Sequence, residues 1–175
     1  MKHSLRALCL LLTCVTCLAF ALTACGGGSW RDDLTSASLS GTLTVALPAG
    51  DGWAEVNDGY ISSSEWGEDY QLLLDAVSDY CIHLSEQSDM NIDEIGIFHV
   101  KNSGDVKKVK AIVEDYVSAK KLRMTSLLES YNPDELPKLD AAKVTVCGSY
   151  VLYTILDASA TTTAHEAFEN ALRAE

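Results

Sequence analysis

Ala142-Lys143-Val144-Thr145-Val146-Cys147-Gly148-Ser149-Tyr150-Val151-Leu152-Tyr153-Thr154-Ile155-Leu156 is the stretch on which the fold turns. Two β-rich runs flank a Gly-Ser pair, and glycine there supplies the positive φ of a tight hairpin turn. The second run, Tyr150 to Leu156, is apolar on both faces. That suits a central strand, because only a strand covered on both sides buries every side chain. The sheet is therefore expected to be antiparallel at this point, with the second run as a central strand and not an edge.

Working backwards from the hairpin, Pro133 stops a long helix, since its ring pushes Asn132 out of the helical region. Val106, Val109, Val113, Tyr116, Val117, Met124, Leu127, Leu128 and Tyr131 fall on one arc at helical spacing. Asn102-Ser103-Gly104-Asp105 turns the chain into this helix, which the spacing predicts over residues 105–131. Lys120 points toward the apolar arc, and its stem is expected to lie along that surface with the ammonium reaching water, a buried functional lysine being the alternative. Glu94-Ile95-Gly96-Ile97-Phe98-His99-Val100 reads as a strand. Tyr80, Ile82 and Leu84 alternate with Cys81, His83 and Ser85, so a second strand is expected there, with a continued helix as the alternative. Tyr70, Leu73, Leu74 and Val77 predict a short helix over residues 68–78. Past the hairpin, Thr163 and Glu166 have the spacing of a capping box, opening a last helix to Arg173. The expected fold is α+β. A small, mainly antiparallel sheet of about four strands packs on the long amphipathic helix, with a C-terminal helix.

The N-terminal end carries a different signal. Lys2 and Arg6 precede an apolar run from Ala7 to Ala21, then Leu22-Thr23-Ala24-Cys25 and Gly26-Gly27-Gly28-Ser29. The run is short of the roughly 20 apolar residues of a spanning helix and fits the core of an export signal. Leu, Thr, Ala and Cys stand where a bacterial lipobox has them, so residues 1–24 are expected to be a lipoprotein signal peptide. The cysteine of such a box carries a diacylglyceryl group, which makes Cys25 the expected lipidation site. Two acyl chains hold where one is marginal, each buried methylene contributing about 0.8 kcal/mol. The chain is then expected at the extracytoplasmic face of the cell membrane.

Removing residues 1–24 from the 175 leaves 151, enough for one domain. The formal charge of −12 loses Lys2 and Arg6 and becomes −14. So acidic a chain repels phosphates, which excludes nucleic acid as a natural partner. From Arg31 to Val100 there are 14 acidic residues against one basic, and from Lys101 onward 11 against 10. Residues 25–67, rich in Gly, Ser and Asp, read as an acidic flexible tether, the α+β domain occupying residues 68–175. A docking surface for a basic partner or a weak cation site is the other reading of that charge. Thr42 to Leu47 alternates briefly, as a strand or docked extension would. Trp30, Trp53 and Trp66 lie in the same region, either packing it back on the domain or free to stack on a glycan or sit at a membrane interface.

Cys9, Cys14 and Cys17 fall within the signal, leaving Cys81 and Cys147 as thiols. They are either two small buried side chains or a disulfide, which the compartment permits. No nucleophile elbow, phosphate loop, dinucleotide fingerprint or His-Glu-x-x-His stands in the sequence. No catalytic residue, cofactor or metal ligand set is assigned. His83 and His99 would face each other if their strands formed a hairpin in the right register. With Glu86 they are the candidates for a metal-binding protein or a small extracytoplasmic enzyme. The favoured function is a non-catalytic interaction or ligand-binding module, lipid-anchored and meeting a membrane-protein or cell-wall partner.

Asn91-Ile92-Asp93-Glu94-Ile95-Gly96-Ile97-Phe98, the long helix, Tyr131-Asn132-Pro133 and Cys147-Gly148-Ser149-Tyr150-Val151-Leu152 together resemble a bacterial lipoprotein family. That family carries the domain of unknown function numbered 4358, mostly in Gram-positive anaerobes, and the resemblance covers roughly residues 70–160. It implies a lipid anchor, with acyl chains such as palmitate, and supplies no activity.

Overall fold

The computed structural model describes residues 29–47, 52–86 and 90–174. The expected signal peptide, residues 1–24, and the expected lipidation site Cys25 lie outside the described residues, as do Gly26–Gly28. In chain order the elements are α1 (Ser36–Ala46), β1 (Trp53–Glu55), α2 (Ser63–Trp66), α3 (Tyr70–Ala76), β2 (Val77–Ser85), β3 (Glu94–Val100), α4 (Val106–Tyr131), α5 (Leu136–Ala141), β4 (Lys143–Cys147), β5 (Tyr150–Ile155) and α6 (Ala158–Leu172). The fold is α+β, around a five-stranded antiparallel sheet in the order β1-β2-β3-β5-β4. The fifth strand, β1, is three residues on the edge and was not expected.

The hairpin forms as read. β4 and β5 pair from Lys143↔Thr154 to Cys147↔Tyr150, and Gly148 turns between them at φ +58°. β5 is the interior strand and all six of its residues are buried. A Cβ on Gly148 would also stand 2.9 Å from the Trp30 Cβ, so the turn is tight as well as left-handed.

The two faces of the sheet carry separate cores, because successive side chains on a strand alternate. On one face Ile82, Phe98, Val100, Val151, Tyr153 and Ile155 pack under α4, which contributes Val109, Ile112, Val113, Tyr116 and Leu128. The helix ends where expected, with Asn132 at φ −153° and Pro133 opening a single 3-10 turn. Its C-terminal end outruns the sheet. Twenty-six residues span about 39 Å, longer than the strands beneath, so Leu127 and Tyr131 are exposed although they lie on the apolar arc.

The other face buries Ile95, Ile97, Cys147, Tyr150 and Leu152 against Leu39, Leu43 and Leu47 from α1 and its C-terminus, and Ala164, Phe168 and Leu172 from α6. This corrects the tether reading of residues 25–67 for the part the structure describes. Thr42–Leu47 is not a strand but the second half of a helix whose Thr35 cap accepts a hydrogen bond from Ser38 N. Leu39, Leu43 and Leu47 stand four residues apart and line one side of it, which is why the segment buries. The tryptophans pack the region back onto the domain. Trp66 stacks on Tyr116 with centroids 3.8 Å apart, while Trp30 and Trp53 lie against the second core. The last helix also starts earlier than expected: Asp157 caps it through Ala160 N, and Thr163 lies inside it. Among the described residues no helix is long and apolar enough to cross a membrane.

Candidate functional site

The register of β2 and β3 decides the fate of the paired histidines. His99 stands opposite Asp79, and His83 opposite Ile95, so the two are four residues apart along the ladder and do not share a site. Glu86 binds instead through its backbone N–H to Gly52 O. Cys81 and Cys147 are both buried and free. Cys81 pairs with Ile97, Ile97 with Leu152, and Leu152 with Thr145, so Cys147 lies on a strand three ladder spacings away. Three spacings are about 14 Å, twice the reach of a disulfide.

Each histidine has its own surroundings. His83 sits directly opposite Glu55 of β1, and Cys81 projects to the same face two residues earlier. The Cys81 Sγ is 3.5 Å from His83 Nδ1, and Ser40 of α1 places its hydroxyl 2.7 Å from the same nitrogen. One ligand atom from each of Glu55, Cys81 and His83 lies within 4.8 Å of the other two. Burial lowers the His83 pKa below the ordinary imidazole value, which leaves it neutral with a lone pair to offer. Burial, reinforced by the charges of Glu55 and Asp79, pushes the Cys81 thiol up to about 11 against the pull of a Ser40 hydrogen bond. An unaided Cys81 is thus a thiol and no nucleophile.

His99 joins a second polar cluster that ties the N-terminal segment to the sheet. Its Nε2 lies 3.0 Å from Asp32 Oδ1 and its Nδ1 3.2 Å from Asp79 Oδ2, while the ring stacks on Tyr150 at 4.3 Å. Hydrogen bonds from Ser149 and then His99 hold the Asp32 carboxyl below its usual range. Burial would raise Asp79, but hydrogen bonds from Ser36, Ser78 and His99 outweigh it and leave that group lowered too. Ser149 donates to Asp32 and not to the imidazole, so no base takes its proton in the manner of a Ser-His-Asp triad. Around this cluster the strap is backbone-bonded. Arg31 N donates to Leu172 O, Ala174 N to Ser29 O, and Leu34 exchanges two hydrogen bonds with the Tyr150 hydroxyl.

A third polar group lies inside the first core. Glu94 is fully buried, and its Oε1 accepts from Tyr116 at 2.6 Å, Tyr60 at 3.2 Å and Tyr153. Its Oε2 accepts from Lys120. This corrects the reading of Lys120, whose ammonium turns inward to a carboxylate and is 13% exposed. Desolvation first, then the Glu94 charge, pushes the three tyrosine hydroxyls far above their usual range, so they act as fixed donors. Gly96 makes room for this arrangement, because a Cβ there would stand 2.0 Å from the Tyr153 ring. The signal was present in the sequence. Glu94 shares a strand face with Gly96, Phe98 and Val100, and Lys120 lies on an apolar helix arc. Opposite charges on two facing apolar surfaces have only each other as partners.

Comparison with the curated proteins and with solved structures finds no significant match. Residues 59–156, more than half of the chain, match the family described as "Domain of unknown function (DUF4358)". The match holds α2 through β5, including Glu94, Lys120, Cys81 and His83, and leaves out α1 and α6, which cover the second face. The chain belongs to the DUF4358 family.

Proposed function

We propose that this protein is a lipid-anchored, non-catalytic binding module held directly against the extracytoplasmic face of the membrane. The lipobox at Leu22–Cys25 supports the anchor. The observation that carries the close seating is the strap: Ser29 and Arg31 are already bonded to the end of α6. Three residues, Gly26–Gly28, separate Cys25 from Ser29, and the four Cα–Cα steps between them span at most about 14 Å however they are arranged. A flexible spacer over the 41 residues from Gly26 to Trp66 would reach roughly 35 Å. The domain on this reading works within the headgroup layer and its immediate surroundings, and its partner is membrane-embedded or membrane-bound. The net charge of −12, which becomes −14 once Lys2 and Arg6 are removed, opposes adhesion to anionic lipid, so the acyl chains do the holding.

The test uses a fatty-acid probe and a Cys25→Ser variant. The native chain should be labelled and sediment with membranes; the variant should be unlabelled and either uncleaved or released. A photo-reactive residue placed at Arg31 should cross-link to lipid or to a membrane protein. Normal labelling of the variant removes the anchor, and cross-links only to soluble proteins remove the close seating.

A further inference from the structure

We propose that Glu55, Cys81 and His83 form a binding site for a zinc-class divalent cation on the β1–β2 edge of the sheet. This stands on the side-chain geometry alone and holds whether or not the chain is lipidated.

The backbone builds the site. Glu55 and His83 are direct cross-strand partners, and such pairs bring their Cβ atoms to about 5 Å. Cys81 reaches the same face from the same strand, two residues away, because strand side chains repeat with period two. The short β1 ends at Glu55, and past it a cleft of about 310 Å³ runs along the uncovered end of β2, lined by Glu55, Ser78, Asp79 and Cys81 among others. An ion entering from solvent meets Glu55 first, which is exposed, then half-buried His83 and buried Cys81.

The donor set matches the ion. Thiolate, imidazole and carboxylate are the three zinc ligands, with bond lengths of about 2.3, 2.0 and 2.0 Å. In a tetrahedral site those lengths separate sulfur from nitrogen by about 3.5 Å. The Cys81 Sγ and His83 Nδ1 are 3.5 Å apart. The Glu55 oxygen lies within 4.8 Å of both, near enough to close on the ion by rotating an exposed side chain. The coordinating nitrogen is His83 Nδ1, which the Ser40 hydroxyl occupies at 2.7 Å in the metal-free chain. The charges also close: a thiolate and a carboxylate neutralise a dication, so a partly buried ion carries no net charge into the fold.

On binding, the Cys81 S–H bond breaks, sulfur keeps the electron pair and donates it to the metal, and the proton leaves to solvent. Nothing is oxidised. Affinity rises as pH rises, because the metal must displace the thiol proton of Cys81. Ser40, 2.7 Å from His83 Nδ1, yields the nitrogen to the metal and turns its hydroxyl to the thiolate. Three protein ligands leave the fourth position to water.

The test titrates the full chain, reduced and in detergent, with Co²⁺ as the spectroscopic probe and Zn²⁺ as competitor. One equivalent of Co²⁺ should produce thiolate-to-cobalt charge-transfer absorption in the near ultraviolet, abolished by Zn²⁺. Cys81→Ser should remove that absorption. Glu55→Gln, an exposed change that leaves the core intact, should weaken binding at least tenfold. Cys147→Ser, three strands away, should change neither. Absence of the charge-transfer band, its survival in Cys81→Ser, or Glu55→Gln binding as tightly as the native chain each overturns the site.

Discussion

Lys120 shows how much one side chain can hide from a one-dimensional reading. An amphipathic stem with a charged tip can always be imagined reaching water, and the sequence offers no distance by which to refuse that. In the fold the tip meets Glu94, and among the described residues neither group makes a second ion pair. Removing one member of such a pair leaves the other buried and uncompensated, at a cost of about 3–5 kcal/mol. Lys120→Met is therefore expected to lower unfolding free energy by about that much in a denaturant titration. Its stem retains its packing, so the loss reports the charge. A Lys120→Met, Glu94→Leu double variant should recover part of it, since an apolar pair of similar volume has no desolvation penalty.

At the level of elements, strands with clear alternation and the long helix with its proline stop were readable from sequence because each satisfies its own periodicity. Helix α1 was not. Its Gly, Ser and Thr content resembles a linker, and Leu39, Leu43 and Leu47 are too few to outweigh composition. They become decisive only against Phe168 and Leu172, which lie far away in the chain. Leu39 is 1% exposed. Leu39→Ala should cost about 2–5 kcal/mol if α1 is part of the core, whereas in a solvated tether the change would be within about 0.5 kcal/mol. Thermal unfolding of the two chains distinguishes these outcomes.

For the molecule as a whole, pH dependence follows from a group buried between the sheet and α6. His165 is 2% exposed, and its ring nitrogens bond the hydroxyls of Thr154 at 3.1 Å and Thr145 at 2.8 Å. Burial, aided by the charge of Lys143, lowers its pKa from 6.5 to about 4. The unfolded chain takes up that proton below 6.5 and the folded chain refuses it until about 4. Stability from this group is complete above 6.5 and is lost as pH falls toward 4, by about 3 kcal/mol. Asp32 and Asp79, held low in the fold, lose their contribution only below the ordinary carboxylate value of 3.8. The two windows are thus separate. Denaturation curves between pH 7 and pH 4 should show a smaller loss in His165→Gln than in the native chain, part of the remainder belonging to His83, whose pKa burial also lowers from 6.5.

The sequence by itself determined the α+β class, the hairpin at Gly148, the span and stop of the long helix, and membership of DUF4358. Each rests on local periodicity, a turn residue or a short motif, and these act over a few residues. Tertiary structure alone decided the rest. A one-residue change of register swaps the face of every side chain on a strand, so it was pairing that separated His83 from His99 and joined His83 to Glu55 and Cys81. It was burial from the far end of the chain that made a helix layer out of residues 36–46. Contacts between groups distant in sequence depend on where two surfaces meet in space, and no local pattern contains that information.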